Sequence, residues 1–300
     1  MIKLQSAMEY LMTYGWAILA IAIVMVSLYS LGIFSLGNLK PTATPGSCQV
    51  IRTAAQVSLA GQCNNMIPKY VGQFNGQNAY VDLGNSASVS PEAGANGKMT
   101  LCIWYFITSS ASYNGPLLKG ESSPSSGNGW EYAIDPQGAS HDAVVWVPAG
   151  SGIMSVNSGK ATTLQTWYFV CFTYDYAANQ GAYYYNGTQY STTLSQGNGP
   201  AAQRTGHLVI GAGEGPGGGT GYSNIYAADV QIYNTSLDNT TIKRLYQEGI
   251  GGAPVDLQHL VGWWPLNGNA NDYSGNNNQG TSTSVVWNAN WQSGYTAPTS

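Results

Sequence analysis

The sequence predicts a long N-terminal apolar helix followed by an all-β jelly-roll sandwich, on three observations. Leu4 to Phe34 carries a single charge, Glu9. Beyond it, apolar runs of five to ten residues recur between Gly, Asn, Ser and Pro, the pattern of many short strands. Only one later stretch, Asp238–Gly249, has a helical pattern: a polar start, Ile242, Leu245 and Tyr246 on one face, and a Gly stop.

Composition sets the frame. Charged residues are 8% of the 300, against about 25% in ordinary soluble domains. The net charge of −4 leaves no basic footprint, so nucleic acid is excluded as a partner. The remainder is rich in Gly, Tyr, Asn, Ser and Thr. A polar but uncharged surface suits the outside of a cell, and the chain is expected there.

The opening segment has three readings. A secretory signal has an apolar core of about 7–15 residues, and this one is about twice as long. A plain transmembrane anchor needs about 20 residues, whereas Gln5 to Leu39 is 35, or roughly 50 Å of helix. The third reading uses the details. "KLQSAMEYL" resembles the class III signal peptide of archaeal type IV pilins. The resemblance implies that a prepilin peptidase cuts the 1–4 leader between Leu4 and Gln5, leaving Glu9 as the fifth mature residue. Leu4 stands where the leader usually has Gly. A carboxylate in apolar surroundings needs a partner. The new α-ammonium at Gln5 is such a partner, within one chain or from the next subunit of a helical homo-oligomeric filament. Small residues, among them Gly15, Ala17, Ala20, Ala22 and Gly32, allow close helix approach. The helix is expected over residues 5–39, in the membrane before assembly and in the filament core after it.

"GNLKPTATPGS", with Pro41 and Pro45, reads as a break, which places a linker at 40–47 and a head at 48–300. The clearest strands are Met99–Ile107, Thr166–Asp175, Ala182–Tyr190, His207–Ala212 and Ala228–Asn234. Asn186-Gly187 between Tyr-rich runs is a two-residue hairpin turn, because such turns need positive φ. "FNGQNAYVDLGN", "LCIWYF", "WYFVCFTYD", "YYYNGTQY" and "VQIYNTSLDNTTIKRLY" resemble, in order, the strands of laminin-G-like, concanavalin A-like jelly rolls. The segment 259–290 is similar to the strand and loop that usually begin this fold, yet it lies near the end here. It either folds back in cis or inserts into a neighbouring head.

The resemblance implies a domain that binds carbohydrate or protein through rim loops and in some cases holds calcium. Asp272, in "NDYSGN", and Asp229, near the last strand, are the candidate calcium ligands, since calcium takes hard oxygen donors. Trp130, Tyr132, Trp146 and Tyr222 are candidate sugar-stacking rings. Asn186, Asn234 and Asn239 head three sequons and are candidate glycan acceptors. Cys48 and Cys63 bracket a short segment of an exported chain, so a disulfide is expected there. Cys102 and Cys171 each lie in an apolar strand, as buried thiols or as a cross-strand pair. No C-x-x-C, H-E-x-x-H or G-x-S-x-G motif occurs. No pair of carboxylates has the spacing that glycoside hydrolysis needs on a strand. A binding protein is therefore expected rather than an enzyme. A filament subunit with a lectin-like head and a non-polymerising, membrane-anchored adhesin both remain open.

Overall fold

A computed structural model describes residues 3–30, 41–64, 66–91, 93, 96–109, 114–119, 130–134, 143–149, 152–157, 163–191, 206–212 and 221–299. The chain divides into two compact units, Met1–Lys40 and Pro41–Ser300.

In the first unit, helix α1 spans Lys3–Ser30. It contains no Pro and one Gly, so nothing in its interior breaks the hydrogen-bond ladder. Its side chains are described from Tyr14 to Ser27, and all of them are exposed. Ser27 Oγ donates back to Ile23 O at 2.7 Å, which hides its hydroxyl from the apolar surface. No helix among the described residues is long and apolar enough to cross a membrane. Residues 31–39 of the expected helix lie outside the described residues, as do the side chains of Leu4, Gln5 and Glu9.

The second unit is a jelly-roll sandwich. Its strands begin with β1 (Thr42–Ala43), β2 (Cys48–Arg52), β3 (Val57–Gly61), β4 (Ile67–Pro68), β5 (Val71–Gln73), β6 (Tyr80–Asp82), β7 (Lys98–Ile107), β8 (Asn114–Lys119), β9 (Trp130–Ile134) and β10 (Ala143–Ala149). They continue with β11 (Gly152–Asn157), β12 (Trp167–Asp175), β13 (Gln180–Tyr185), β14 (Thr188–Ser191), β15 (Leu208–Ile210) and β16 (Ile225–Tyr233). Helix α2 (Asn239–Glu248) follows, then β17 (Leu260–Trp264), β18 (Thr281–Thr283) and β19 (Val286–Asn288). One sheet runs β11-β10-β9-β8-β15-β6-β18. The other runs β14-β13-β12-β7-β16-β5-β19, with β17 also on β16.

Two cores follow from the period of two along a strand. Leu101, Ile103 and Tyr105 of β7, and Val170 and Phe172 of β12, point between the sheets toward Val81, Leu117, Leu208 and Ile210. The alternate residues Cys102, Trp104, Phe106, Phe169 and Cys171 point the other way. There they meet α2 (Ile242, Leu245), Val50 of β2, and Trp263 and Trp291 from the C-terminal segment. Burial on both faces is why β7 and β12 read as unbroken apolar runs rather than alternating ones.

The C-terminal segment packs in cis. β17 pairs antiparallel with β16, β18 with β6 and β19 with β5, so it contributes to both sheets. The β2–β3 hairpin docks on it. Val50 N donates to Tyr273 O at 2.8 Å. The half-buried Arg52 donates to Ser274 O, Leu257 O and Leu260 O at 2.8–2.9 Å. Cys48 and Cys63 close that hairpin in a disulfide, and Cys102 and Cys171, directly opposed on β7 and β12, form another. The register that opposes the second pair joins residues 69 apart, which strand-by-strand reading does not reach. Disulfides of this kind belong to secreted or extracellular proteins.

Candidate functional site

Asp229 occupies a bulge in β16. Ala228 opposes Trp104 but Gln231 opposes Cys102, so one extra residue is accommodated, and Asp229 takes φ 50° to do so. Its carboxylate is buried. Gln231 Nε2 donates to both oxygens at 2.9 Å, and Trp263 Nε1 donates to Oδ1 at 2.8 Å. Burial pushes its pKa up to about 7, against the opposing pull of the Gln231 and Trp263 donors. Tyr233 extends the chain by donating to Gln231 Oε1, and burial holds its phenol well above the ordinary value.

Asp272 lies at the other end of the same tryptophan. It accepts from Trp263 N (3.1 Å), Ser274 N (2.8 Å), Ser274 Oγ (2.9 Å) and Asn278 N (2.9 Å). Both carboxylates are thus occupied by N–H and O–H donors on opposite sides of Trp263. Among the described residues, no group of three or more His, Cys, Asp or Glu converges.

Every aspartate among the described residues is engaged. Asp82 meets His207 Nδ1 at 2.8 Å, Asp256 meets His259 Nδ1 at 2.8 Å, and Asp175 meets Lys98 at 2.8 Å. Asp238 caps α2 by accepting from Thr241 N at 2.7 Å, and that bond lowers its pKa. His141 and most of the Gly211–Gly221 loop lie outside the described residues.

Of the four candidate stacking rings, that of Tyr222 is among the described side chains. The side chains of Trp130, Tyr132 and Trp146 lie outside the described residues, but the register places their backbones. Tyr132 opposes Leu117 and Trp130 opposes Lys119, itself opposite Leu208. Both therefore share rows with residues of the inner core. Trp146 opposes Glu131, in the alternate row with Leu118, Val209 and Asp82. Tyr222 is half-buried, its ring 6.4 Å from that of Tyr80.

Two clefts among the described residues lie elsewhere, at the edge formed by β13 and β14. One cleft of about 590 Å³ has Thr173, Ala182 and Tyr184 as its floor and Gln180, Gln189 and the Ser236–Asp238 loop as walls. A second, of about 460 Å³, lies between the β13–β14 turn and α2 and shares Gln189. The turn is the expected Asn-Gly pair, with Asn186 at φ 49° and Gly187 at φ 74°. Asn186 Oδ1 accepts from Phe169 N at 2.9 Å, which commits that side chain to the turn. A Cβ on Gly187 would sit 2.9 Å from the Tyr246 ring, so the glycine allows the turn to rest on α2. Of the other sequon residues, Asn239 is exposed at the mouth of the second cleft and Asn234 is exposed beyond the end of β16.

The sequence between the start of the sandwich and α2 decides the family. Residues 75–243, more than half of the chain, match the laminin G family model described as the concanavalin A-like lectin/glucanases superfamily. The chain belongs to this superfamily. The matched stretch ends inside α2, so β17, β18 and β19 of this superfamily member lie beyond it. No curated protein sequence matches the chain. A crystal structure from Bacteroides ovatus ATCC 8483, provisionally named a carbohydrate binding protein, is 13% identical, with a TM-score of 0.55 over 89% of this chain and 84% of that one. The carbohydrate-binding module CBM40 of Ruminococcus gnavus IT-sialidase, bound to alpha2,3 sialyllactose, is 16% identical over 60% of this chain and 98% of that one, with a TM-score of 0.48. At these identities the likeness is one of fold.

Proposed function

We propose that the chain is a structural subunit of an extracellular, type IV pilus-like filament that displays a lectin-like head for adhesion. One observation carries the reading. Tyr14, Trp16, Ile18, Leu19, Ile21, Ile23, Val24, Met25 and Val26 are all more than half exposed on α1. A helix apolar on every side must be covered by something other than water. Lipid covers it before assembly, and copies of itself cover it in the fibre. Cleavage between Leu4 and Gln5 by a prepilin peptidase releases the ammonium that pairs with Glu9. Anchoring without polymerisation would leave the same helix in lipid, and processing separates the two readings.

The head is read as a binding domain. The superfamily and the likeness in fold to a carbohydrate-binding structure support this reading. Asp229 and Asp272 are read as structural, and Asn234 and Asn239 as the accessible glycan acceptors. N-terminal sequencing of sheared surface material tests the proposal. A chain starting at Gln5, in fibres seen by electron microscopy, is expected. An intact Met1, or membrane-bound material with no fibres, overturns the filament role.

A further inference from the structure

We infer that the groove between the β13–β14 hairpin and α2 is the ligand site of the head, and that it takes an extended, uncharged oligosaccharide. The inference rests on the lectin-like reading above and deepens it. Two clefts of about 590 and 460 Å³ meet at Gln189, each within the size that holds a small ligand. Two adjoining clefts suit several linked units rather than one ring.

The chemistry of the walls selects the class. Gln180, Gln189, Asn239 and Gln247 are exposed around the groove, and each amide offers two donors beside an acceptor. A vicinal diol both donates and accepts, so such amides match it from either side. Tyr184 lies in the floor. Burial, and then the charge of Asp238, raise the pKa of its phenol, so it stays a neutral O–H donor. The first cleft holds one carboxylate, Asp238, and the second one ammonium, Lys243. An acidic glycan would be met by a cluster of Arg or Lys, and this groove has a single cation. A peptide added as a strand would need apolar pockets for its alternate side chains, and the exposed walls here are amides and hydroxyls.

The test uses the full chain in detergent micelles, made in a host that does not N-glycosylate, so that Asn239 is bare. Calorimetric titration with cellohexaose, maltohexaose, mannohexaose and chitohexaose is set against sialyllactose and a heparin hexasaccharide. At least one neutral hexasaccharide is expected to bind, and at least tenfold more tightly than its disaccharide. Gln189→Ala is expected to weaken it tenfold or more without moving the melting temperature, since Gln189 is exposed. Gln180→Ala, at the far end of the first cleft, is the second variant should Gln189→Ala fold poorly. Neutral binding unchanged in both variants overturns the groove and leaves a lectin-like head intact. Binding of the charged probes alone also overturns the inference. Binding of no glycan at all takes the lectin-like reading down with it.

Discussion

The indole N–H of Trp263 donates to Asp229 Oδ1 at 2.8 Å, tying β17 of the C-terminal segment to the bulge of β16 through a buried carboxylate. Asp229 titrates near 3.8 when unfolded and at about 7 when folded. Between those values the unfolded chain releases a proton that the folded chain keeps. Its contribution is therefore complete below pH 3.8 and lost as pH rises through 7. The difference is on the order of 4 kcal/mol. Asp175 and Asp238 act in the opposite direction. Their pKa values are lowered, so their contributions fade as pH falls below the ordinary carboxylate range. Thermal melts from pH 4 to 9 should peak at mildly acidic pH. Asp229→Asn, which keeps an oxygen for Trp263, should flatten the decline between pH 5 and 8. An unchanged slope would show that Asp229 is not the group responsible.

Arg52 holds three carbonyls of the C-terminal segment, those of Leu257, Leu260 and Ser274. Arg52→Ala should cost roughly 2–3 kcal/mol, because those acceptors lose charged donors in a half-buried site. Arg52→Lys should not restore it, since one ammonium cannot reproduce the planar fork. Denaturant midpoints of the three proteins decide the matter, and a full rescue by Lys would refute the geometric account.

Removing the Cys102–Cys171 disulfide by a double change to Ala should lower stability by roughly 4 kcal/mol, as its loop spans 69 residues. Removing Cys48–Cys63, with a separation of 15, should cost about 3 kcal/mol. Urea titrations of the two variants should rank them in that order.

Glu9→Gln removes a charge and keeps the shape. If Glu9 meets a neighbour's ammonium in a dry core, each added subunit loses roughly 3–5 kcal/mol. Processed monomer should stay in the membrane while the head folds normally. Wild-type yields of sheared fibres would show that assembly does not need the carboxylate.

Local features of the fold were legible because their causes are local. Asn186-Gly187 announces its turn through the two positive φ values, and Asp238 announces α2 through its cap. Long unbroken runs such as Met99–Ile107 signal burial, but nothing in them says that a second core lies beneath α2. The role of Asp229 was not legible. Its partners Gln231 and Trp263 depend on a bulge and on a strand from 34 residues away, and a carboxylate near a loop looks the same on paper whether it faces an ion or an indole. The groove at Gln189 was equally hidden, because its walls come from β13, β14 and α2, and amide residues at a sheet edge leave no pattern of their own.

The disulfide-closed hairpin also determines how the head carries mechanical load. A pull applied at Pro41 runs through only seven residues, Pro41 to Ser47, before it reaches Cys48. There it passes covalently to Cys63, so the hairpin cannot lengthen. The tension then passes β4, which is itself paired in parallel with β1, and arrives at β5, which lies between β16 and β19 and is antiparallel to both. Extracting it means sliding the strand along both neighbours and breaking their hydrogen bonds together, rather than unzipping them one at a time. A surface head tugged from its N-terminal side would therefore resist by shear, with its C-terminal segment as part of the clamp.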